Sequence, residues 1–184
     1  MGRSTKEQAG ANRQRIVTAA GNLFRSRGYD AVGIADVMKA AGMTQGGFYK
    51  HFASKEALAA EAWEQGFEFA STTWRRQDKG GSPAAAVVDY YLAPKSLEHR
   101  CPMVAHGEEV ARMDEDCALR DVYAEGARAL YDTFMDTAKG SMAKDRARLL
   151  FAAMVGANML SRAAGDADWV AALRKTVKAA AAAE

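Results

Sequence analysis

The 184-residue sequence has few residues that cross-link or break a polypeptide backbone. Its two cysteines, Cys101 and Cys117, are too few for a disulfide framework, and no CxxC or H-x3-H spacing indicates a zinc site. The three prolines, Pro83, Pro94 and Pro102, fall within one short window, so the chain on either side of it lacks the strongest helix breaker. We therefore expect long helices, no metal site and no cofactor.

Long hydrophobic runs are also missing. The longest uncharged stretch, residues 149–161, has 13 residues between two arginines, whereas spanning a bilayer takes about 20. The first fifteen residues contain no apolar segment typical of a signal peptide. These absences predict a cytoplasmic protein that does not bind a membrane.

The charge is small overall but unevenly distributed. A net charge of +2 averaged over the chain does not indicate a nucleic-acid-binding protein. Residues 1–56, however, carry nine Lys or Arg and four Asp or Glu, a net charge of +5, which leaves the rest of the chain at −3. A basic head on a mildly acidic body is what a polyanion bound at one end would require.

The composition predicts an all-α fold. Apolar residues make up 49% of the chain, which is enough for a core, alanine is frequent, and alternating β-branched runs are missing. We expect helices at about 12–27, 34–41, 44–52, 54–76, 83–92, 102–113, 117–138, 145–162 and 167–182.

The first three predicted helices form a helix-turn-helix. Gly28 ends the first helix and Gly42 ends the second. Thr44 is a plausible N-cap for a third helix of about two turns that ends near Phe52. Short helices joined by a tight glycine-containing turn are typical of this motif.

The third predicted helix has two unlike faces. Phe48 and Phe52 share one face, and Gly46 and Lys50 lie roughly opposite. Gly46 and its neighbour Gly47 each weaken a helix by about 1 kcal/mol relative to alanine. Their missing side chains would let the helix backbone enter a DNA groove.

The polar side chains around the glycines suit such a contact. Tyr49 and His51 can bond to phosphate, while Gln45 or Lys50 can reach base edges. The alternative is that the two glycines form only a turn and that the helix is a packing element. Periodicity alone gives the two interpretations about equal weight.

Residues 40–58 carry a distinctive pattern: Ala-Ala-Gly, a small hydroxyl residue, and then Phe-Tyr-x-His-Phe-x-Ser-Lys-x-x-Leu. With this pattern, the stretch 15–62 resembles the DNA-binding domain of the TetR/AcrR family of transcriptional regulators. The resemblance covers about a quarter of the chain.

The resemblance implies DNA contacts in the third helix and a phosphate contact by Lys55, which begins the next helix. Gly33 departs from the family, which usually has a threonine there that caps the second helix and touches the DNA backbone. One expected phosphate contact therefore lacks its usual side chain. The predicted DNA-binding residues are Gly33, Gln45, Gly46, Gly47, Tyr49, Lys50, His51 and Lys55.

The resemblance also implies that two parts of the chain have different functions. Residues 1–53 would be the helix-turn-helix DNA-binding domain, and residues 54–184, beginning with a long connecting helix, would sense a ligand and dimerise. The implied partners are a double-stranded DNA operator, a second copy of the chain and a small-molecule effector that relieves repression.

The last two predicted helices support a dimer independently. Each carries an apolar seam at helical spacing, and two copies of the pair would make a four-helix bundle. The alternative is that these seams pack only within the monomer. The candidate interface residues are Leu149, Ala153, Gly156, Leu160, Trp169, Leu173 and Val177.

The ligand site is the least defined feature, because most large apolar residues belong to the core. A metal site at His99, Cys101 and His106 has irregular spacing. A redox switch at Cys101 is a better alternative, although an inert cysteine is expected. The candidate pocket residues are Trp63, Phe67, Trp74, Tyr90, Tyr91, Met103, His106, Met113, Tyr123 and Phe134.

Two other classes of protein compete with a regulator. A helical-bundle enzyme would carry a catalytic signature, such as a Glu-x-x-His pair or a glycine-rich phosphate loop, and none is present. A nonspecific architectural DNA binder would spread its basic charge more widely than one head of +5. We therefore expect a regulator, not an enzyme.

Overall fold

The computed structural model describes residues 6–77, 82–165 and 167–183, and within these ranges the chain is helical without strands, as predicted. None of the helices in this part of the chain is both long and apolar enough to cross a membrane. The α-helices are α1 Lys6–Arg27, α2 Ile34–Ala40, α3 Lys55–Arg75, α4 Pro83–Leu92, α5 Pro102–Ala111, α6 Ala118–Ala138, α7 Lys144–Ala164 and α8 Asp168–Ala182. Two short 3-10 helices cover Gln45–Lys50 and Leu97–His99.

Two elements differ from the prediction. Helix α1 begins at Lys6 rather than near Asn12, because its first turns are largely exposed and so carry no apolar period that a sequence pattern could detect. The third predicted helix is a single 3-10 helix of six residues instead of two α-helical turns. Its two glycines favour the α-helix least among residues other than proline.

Contacts divide the chain into two compact units. The first contains Met1–Gly66 and Ser96–Gly126, and the second contains Phe67–Lys95 and Ala127–Glu184. The line between the units therefore differs from the predicted boundary at residues 53 and 54, since the start of α3 and all of α5 pack with the basic head. The assignment of DNA binding and ligand sensing to the two predicted domains stays a prediction.

The core of the first unit forms where the apolar face of α1 meets α2 and α5. Ile16, Ala20 and Phe24, which share that face at helical spacing, are fully buried. In the second unit α7 packs against α8, and α4 packs against both. A buried hydrogen bond of 2.8 Å joins the hydroxyls of Ser71 and Thr133 there.

Candidate nucleic-acid interface

The turn between α2 and the 3-10 helix is tight and depends on glycine. Gly42 has φ +71°, a left-handed conformation that side chains with a Cβ rarely adopt. Its N–H donates to the carbonyl of Lys39, and the N–H of Met43 donates to the carbonyl of Met38 at 2.8 Å. These bonds close the end of α2 and direct the chain into the 3-10 helix Gln45–Lys50.

The inner face of the 3-10 helix is aromatic, as predicted. The rings of Phe48 and Phe52 lie 5.8 Å apart, and both side chains are buried in the core of the first unit. The guanidinium of Arg13 lies 4.3 Å from the centre of the Phe52 ring and pairs with the carboxylate of Glu61. The 3-10 helix is thereby anchored through its inner face.

The opposite side, which we call the outer face, consists of Gln45, Gly46, Tyr49 and Lys50, and all four are exposed. Tyr49 is 72% exposed, an unusual degree for a tyrosine. The face therefore presents an amide, a phenol and an ammonium group around a gap where a side chain is missing.

Among the residues that the structure describes, none requires glycine at position 46 or 47. A Cβ built on Gly46 would have no atom within 4 Å, and one on Gly47 would lie 3.6 Å from the Cε of Met38, which is an ordinary contact. Neither residue has a positive φ. The absence of side chains there is therefore explained neither by packing nor by backbone conformation.

Both ends of the 3-10 helix are held by backbone groups. Thr44 is the N-cap of this helix, as predicted, and has the extended conformation of that position, but its side chain makes no capping hydrogen bond. His51 ends the helix, is half-buried, and donates its backbone N–H to the carbonyl of Phe48 at 2.8 Å.

Gly33 is the N-cap of α2 and lacks the side chain that the family usually places there. The cap is supplied by Asp36, whose carboxylate accepts a 3.0 Å hydrogen bond from the N–H of Gly33. Gly33 is extended and exposed, and a Cβ there would lie 3.5 Å from Asp36 Oδ2, an ordinary contact. The position has room for a larger side chain.

Lys55 is the first residue of α3. The hydroxyl of Ser54 caps this helix, as predicted, by accepting a 3.0 Å hydrogen bond from the N–H of Ala57. The Nζ of Lys55 lies 4.1 Å from the centre of the Tyr29 ring. Burial, and to a lesser degree the carboxylate of Glu56, raises the pKa of the Tyr29 phenol, so this ring stays neutral at physiological pH.

The predicted pocket residues do not gather in one unit. Trp63, Phe67, Trp74, Tyr91, Met103, His106 and Phe134 are buried, whereas Tyr90, Met113 and Tyr123 are half-buried. Trp63, Met103, His106, Met113 and Tyr123 belong to the first unit, and Phe67, Trp74, Tyr90, Tyr91 and Phe134 belong to the second.

A cavity of about 590 Å³ lies in the second unit, and Trp74 is one of its lining residues. Much of the lining is polar, including Arg75, Thr133, Asp136 and Lys139. Among the described residues no three His, Cys, Asp or Glu side chains are grouped to hold a metal ion.

The predicted dimer residues differ in exposure. Leu149 is 71% exposed, Leu160 38% and Trp169 54%, so three large apolar side chains face solvent on α7 and α8. Met159, which is not one of the predicted interface residues, is also exposed. The smaller Ala153 and Gly156 and the side chain of Leu173 are half-buried.

Val177 is a correction to that set, because it is only 5% exposed and lies inside the second unit. A step of four residues advances about 400° around a helix, so the spacing 169, 173, 177 turns by about 80° from its first member to its last. The predicted seam on α8 therefore begins on the exposed side at Trp169 and ends on the buried side.

Comparison with known proteins supports the assignment of the head. The family model described as "Bacterial regulatory proteins, tetR family" matches residues 16–62. The chain is 41% identical over 64 residues to the HTH-type transcriptional regulator AcrR of Shigella flexneri, which covers 35% of this chain and 30% of that protein. It is 27% identical over 124 residues to the HTH-type transcriptional repressor KstR2 of Mycolicibacterium smegmatis, covering 66% of this chain and 58% of that one.

The chain thus spans less than two thirds of the length of these two curated relatives, but a solved structure matches nearly all of it. A TetR transcriptional regulator from Chloroflexus aurantiacus superposes with a TM-score of 0.73 at 26% identity, covering 94% of this chain and 95% of that one. These relatives are named as regulators, which agrees with the expectation that the chain is not an enzyme. The helix-turn-helix motif and the match over 16–62 identify this segment as similar to the DNA-binding domain of the TetR family of bacterial regulators, and the fold along the chain is similar to that of a TetR transcriptional regulator.

Proposed function

We propose that this chain represses transcription by binding as a homodimer to a two-fold symmetric DNA operator, from which a small molecule releases it. The observation that carries the proposal is the outer face of the 3-10 helix. Gly46 on that face and its neighbour Gly47 are required neither by packing against the described residues nor by backbone conformation, and exposed polar side chains lie beside Gly46. A groove that the backbone must approach closely gives these glycines a function.

The contacts fall into two classes. Tyr49, His51 and Lys55 are proposed to bind phosphates, which fixes the position of the protein on the duplex without selecting a sequence. Gln45 and Lys50 are proposed to reach base edges in the major groove, where hydrogen-bonding patterns differ between base pairs.

A dimer follows from the small size of the recognition element. A 3-10 helix of six residues contacts only a few base pairs, so specificity requires two copies on one face of the DNA. The exposed apolar side chains of Leu149, Leu160 and Trp169 support an interface on α7 and α8. The symmetry of such a dimer would be matched by the operator.

The proposal also includes repression of transcription and its release by a ligand. A curated relative is named a transcriptional repressor, and α3 begins at the proposed phosphate contact Lys55 and continues to Arg75. A ligand that moves the far end of this helix would weaken DNA binding, typically by about 5- to 150-fold. The predicted pocket residues are mostly large and apolar and favour a largely apolar ligand, whereas the polar lining of the cavity beside Trp74 favours one that also carries hydrogen-bonding groups.

Footprinting of the DNA that flanks the chain's own gene tests the proposal. We expect one protected region with two-fold symmetric half-sites about 10 base pairs, or a multiple of that spacing, apart. Uniform protection of all sequences would instead support the nonspecific architectural binder, and no protection in low salt would remove DNA binding altogether. Tryptophan fluorescence then provides a screen for effectors, since Trp63 and Trp74 both lie on α3.

A further inference from the structure

We propose that Glu109 of α5 is a positioning residue for DNA binding, which acts on Lys55 through Tyr29. All three residues belong to the first unit. The inference rests on the proposed function, because it assigns a partner to the lysine that we place against a phosphate.

The first link joins Glu109 to the end of α1. Its Oε1 accepts a 2.6 Å hydrogen bond from the backbone N–H of Tyr29. Gly28, the residue between α1 and Tyr29, has φ +90°, and a Cβ there would lie 2.6 Å from the same oxygen. The carboxylate thus fills the space that any other residue at position 28 would need.

Helix electrostatics do not explain this placement. The C-terminal end of a helix carries a partial negative charge, which disfavours a carboxylate. Glu109 nevertheless lies at the C-terminal end of α1, where the group it holds is the N–H of Tyr29. The bond therefore fixes the backbone of Tyr29 at a place where the dipole alone would not attract Glu109.

The second link joins Tyr29 to Lys55. The Tyr29 ring packs between Phe24, at 5.5 Å between ring centres, and Trp63, at 6.3 Å. The Nζ of Lys55 lies 4.1 Å from the centre of the same ring. A lysine side chain has many rotamers, so a cation–π contact restricts where its ammonium lies before DNA arrives.

The second carboxylate oxygen of Glu109 connects Tyr29 and Lys55 to residues of α5 and α3. This oxygen, Oε2, lies 3.5 Å from Nδ1 of His106, which is buried and stacks on Trp63 with ring centres 4.3 Å apart. This distance is long for a hydrogen bond, so the Tyr29 N–H is the closer partner of the carboxylate. A displacement of α5 would therefore be transmitted to Tyr29, and from there to Lys55.

The test measures binding to a labelled mixed-sequence duplex of about 30 base pairs, three helical turns, at several salt concentrations. Lys55→Ala should lower the salt slope by about 1. Glu109→Ala should lower it by up to the same amount, whereas Glu109→Gln should restore it, because the amide oxygen still accepts from Tyr29. Glu108→Ala is the matched control, since Glu108 is an exposed neighbour whose loss changes the net charge equally.

A double-mutant cycle identifies the route. If Glu109 acts through Lys55, adding Glu109→Ala to Lys55→Ala should change affinity no further. Additive losses, or a slope in Glu109→Ala equal to that of the wild type, would overturn the inference. Should Glu109→Ala fail to fold, as judged by circular dichroism, Tyr29→Leu removes the ring but keeps the backbone N–H and should lower the slope by up to the amount lost in Lys55→Ala; an unchanged slope overturns the inference equally.

The same experiment separates this inference from the proposed function. A wild-type protein without salt-dependent DNA binding contradicts the proposed function itself. A wild-type protein that binds, together with a normal loss in Lys55→Ala and none in the Glu109 variants, contradicts only the positioning role.

Discussion

The guanidinium of Arg15 donates a 2.6 Å hydrogen bond to the carbonyl oxygen of Ala41. This bond joins α1 to the residue that follows α2, immediately before the left-handed Gly42. A Cβ on Gly42 would lie 2.9 Å from the same Arg15 nitrogen. Two separate requirements, backbone conformation and the space for a guanidinium, therefore call for glycine in this turn.

Gly42→Ala should destabilise the protein. A left-handed conformation costs a residue with a Cβ about 1 to 2 kcal/mol, and displacement of Arg15 should weaken its bond to Ala41. Urea unfolding measures the loss. The control is Gly140→Ala, where φ is +82° but a Cβ has no atom within 4 Å; equal losses in the two variants would mean that the Arg15 contact adds nothing.

Gly46→Ala should weaken DNA binding without destabilising the protein. The new methyl group meets no atom of the described residues within 4 Å, and alanine restricts the unfolded chain more than glycine does, so stability should stay constant or rise by about 0.4 to 1 kcal/mol. DNA affinity should fall, because the methyl group stands on the outer face. Fluorescence anisotropy with footprinted operator DNA provides the measurement, and undiminished affinity would mean that the helix backbone does not approach the groove at Gly46.

Gln45→Ala and Lys55→Ala should affect binding in different ways. Gln45 is exposed at the start of the 3-10 helix, so its loss should relax preference at one or two base positions, by about 1 to 3 kcal/mol for a bidentate contact. Lys55→Ala should weaken binding to all sequences alike. Competition with single-base operator variants distinguishes the two, and an unaltered preference profile in Gln45→Ala would remove that residue from the base contacts.

Gly33→Thr should tighten DNA binding. Position 33 is exposed, extended and open to a Cβ, and a threonine hydroxyl there could both cap α2 and bond to a phosphate. Gly33→Val is the control, because it has nearly the same shape without the hydroxyl. If both variants bind DNA as the wild type does, the missing threonine has no bearing on affinity.

The helix-turn-helix segment is predicted well from the sequence because the residue patterns that define it are local. Phe48 and Phe52 recur at helical spacing, Gly42 marks a turn, and Ser54 precedes a long helical pattern, so each feature is visible within a few residues. Glu109 and Tyr29 are different, since their hydrogen bond joins residues 80 positions apart. No local pattern identifies that pair, and neither residue was among the predicted site residues.

The prediction of the seam on α8 was wrong at Val177 for a related reason. Apolar spacing identifies which residues share a side of a helix, but it does not tell whether that side meets the protomer or a partner. Val170 and Val177 are buried within the second unit, whereas Trp169 is exposed. The packing of α8 against α4 and α7 decides this, and that packing is tertiary.

The exposed residues on α7 and α8 lead to the last prediction, which concerns the dimer. Leu149→Glu and Trp169→Glu should each produce monomers, because a dimer interface would bury the new carboxylate without a partner. Light scattering measures the mass, and circular dichroism should show an unchanged fold, since both side chains are exposed in the protomer. Leu97→Glu is the matched control: Leu97 is 45% exposed on the second 3-10 helix, so that variant should stay dimeric.

DNA affinity should fall in the two monomeric variants but not in Leu97→Glu, because one 3-10 helix alone contacts only one half-site. Dimers of unchanged mass in both α7 and α8 variants would place the interface elsewhere, and monomers that still bind the full operator at wild-type affinity would contradict the two-fold mode of binding.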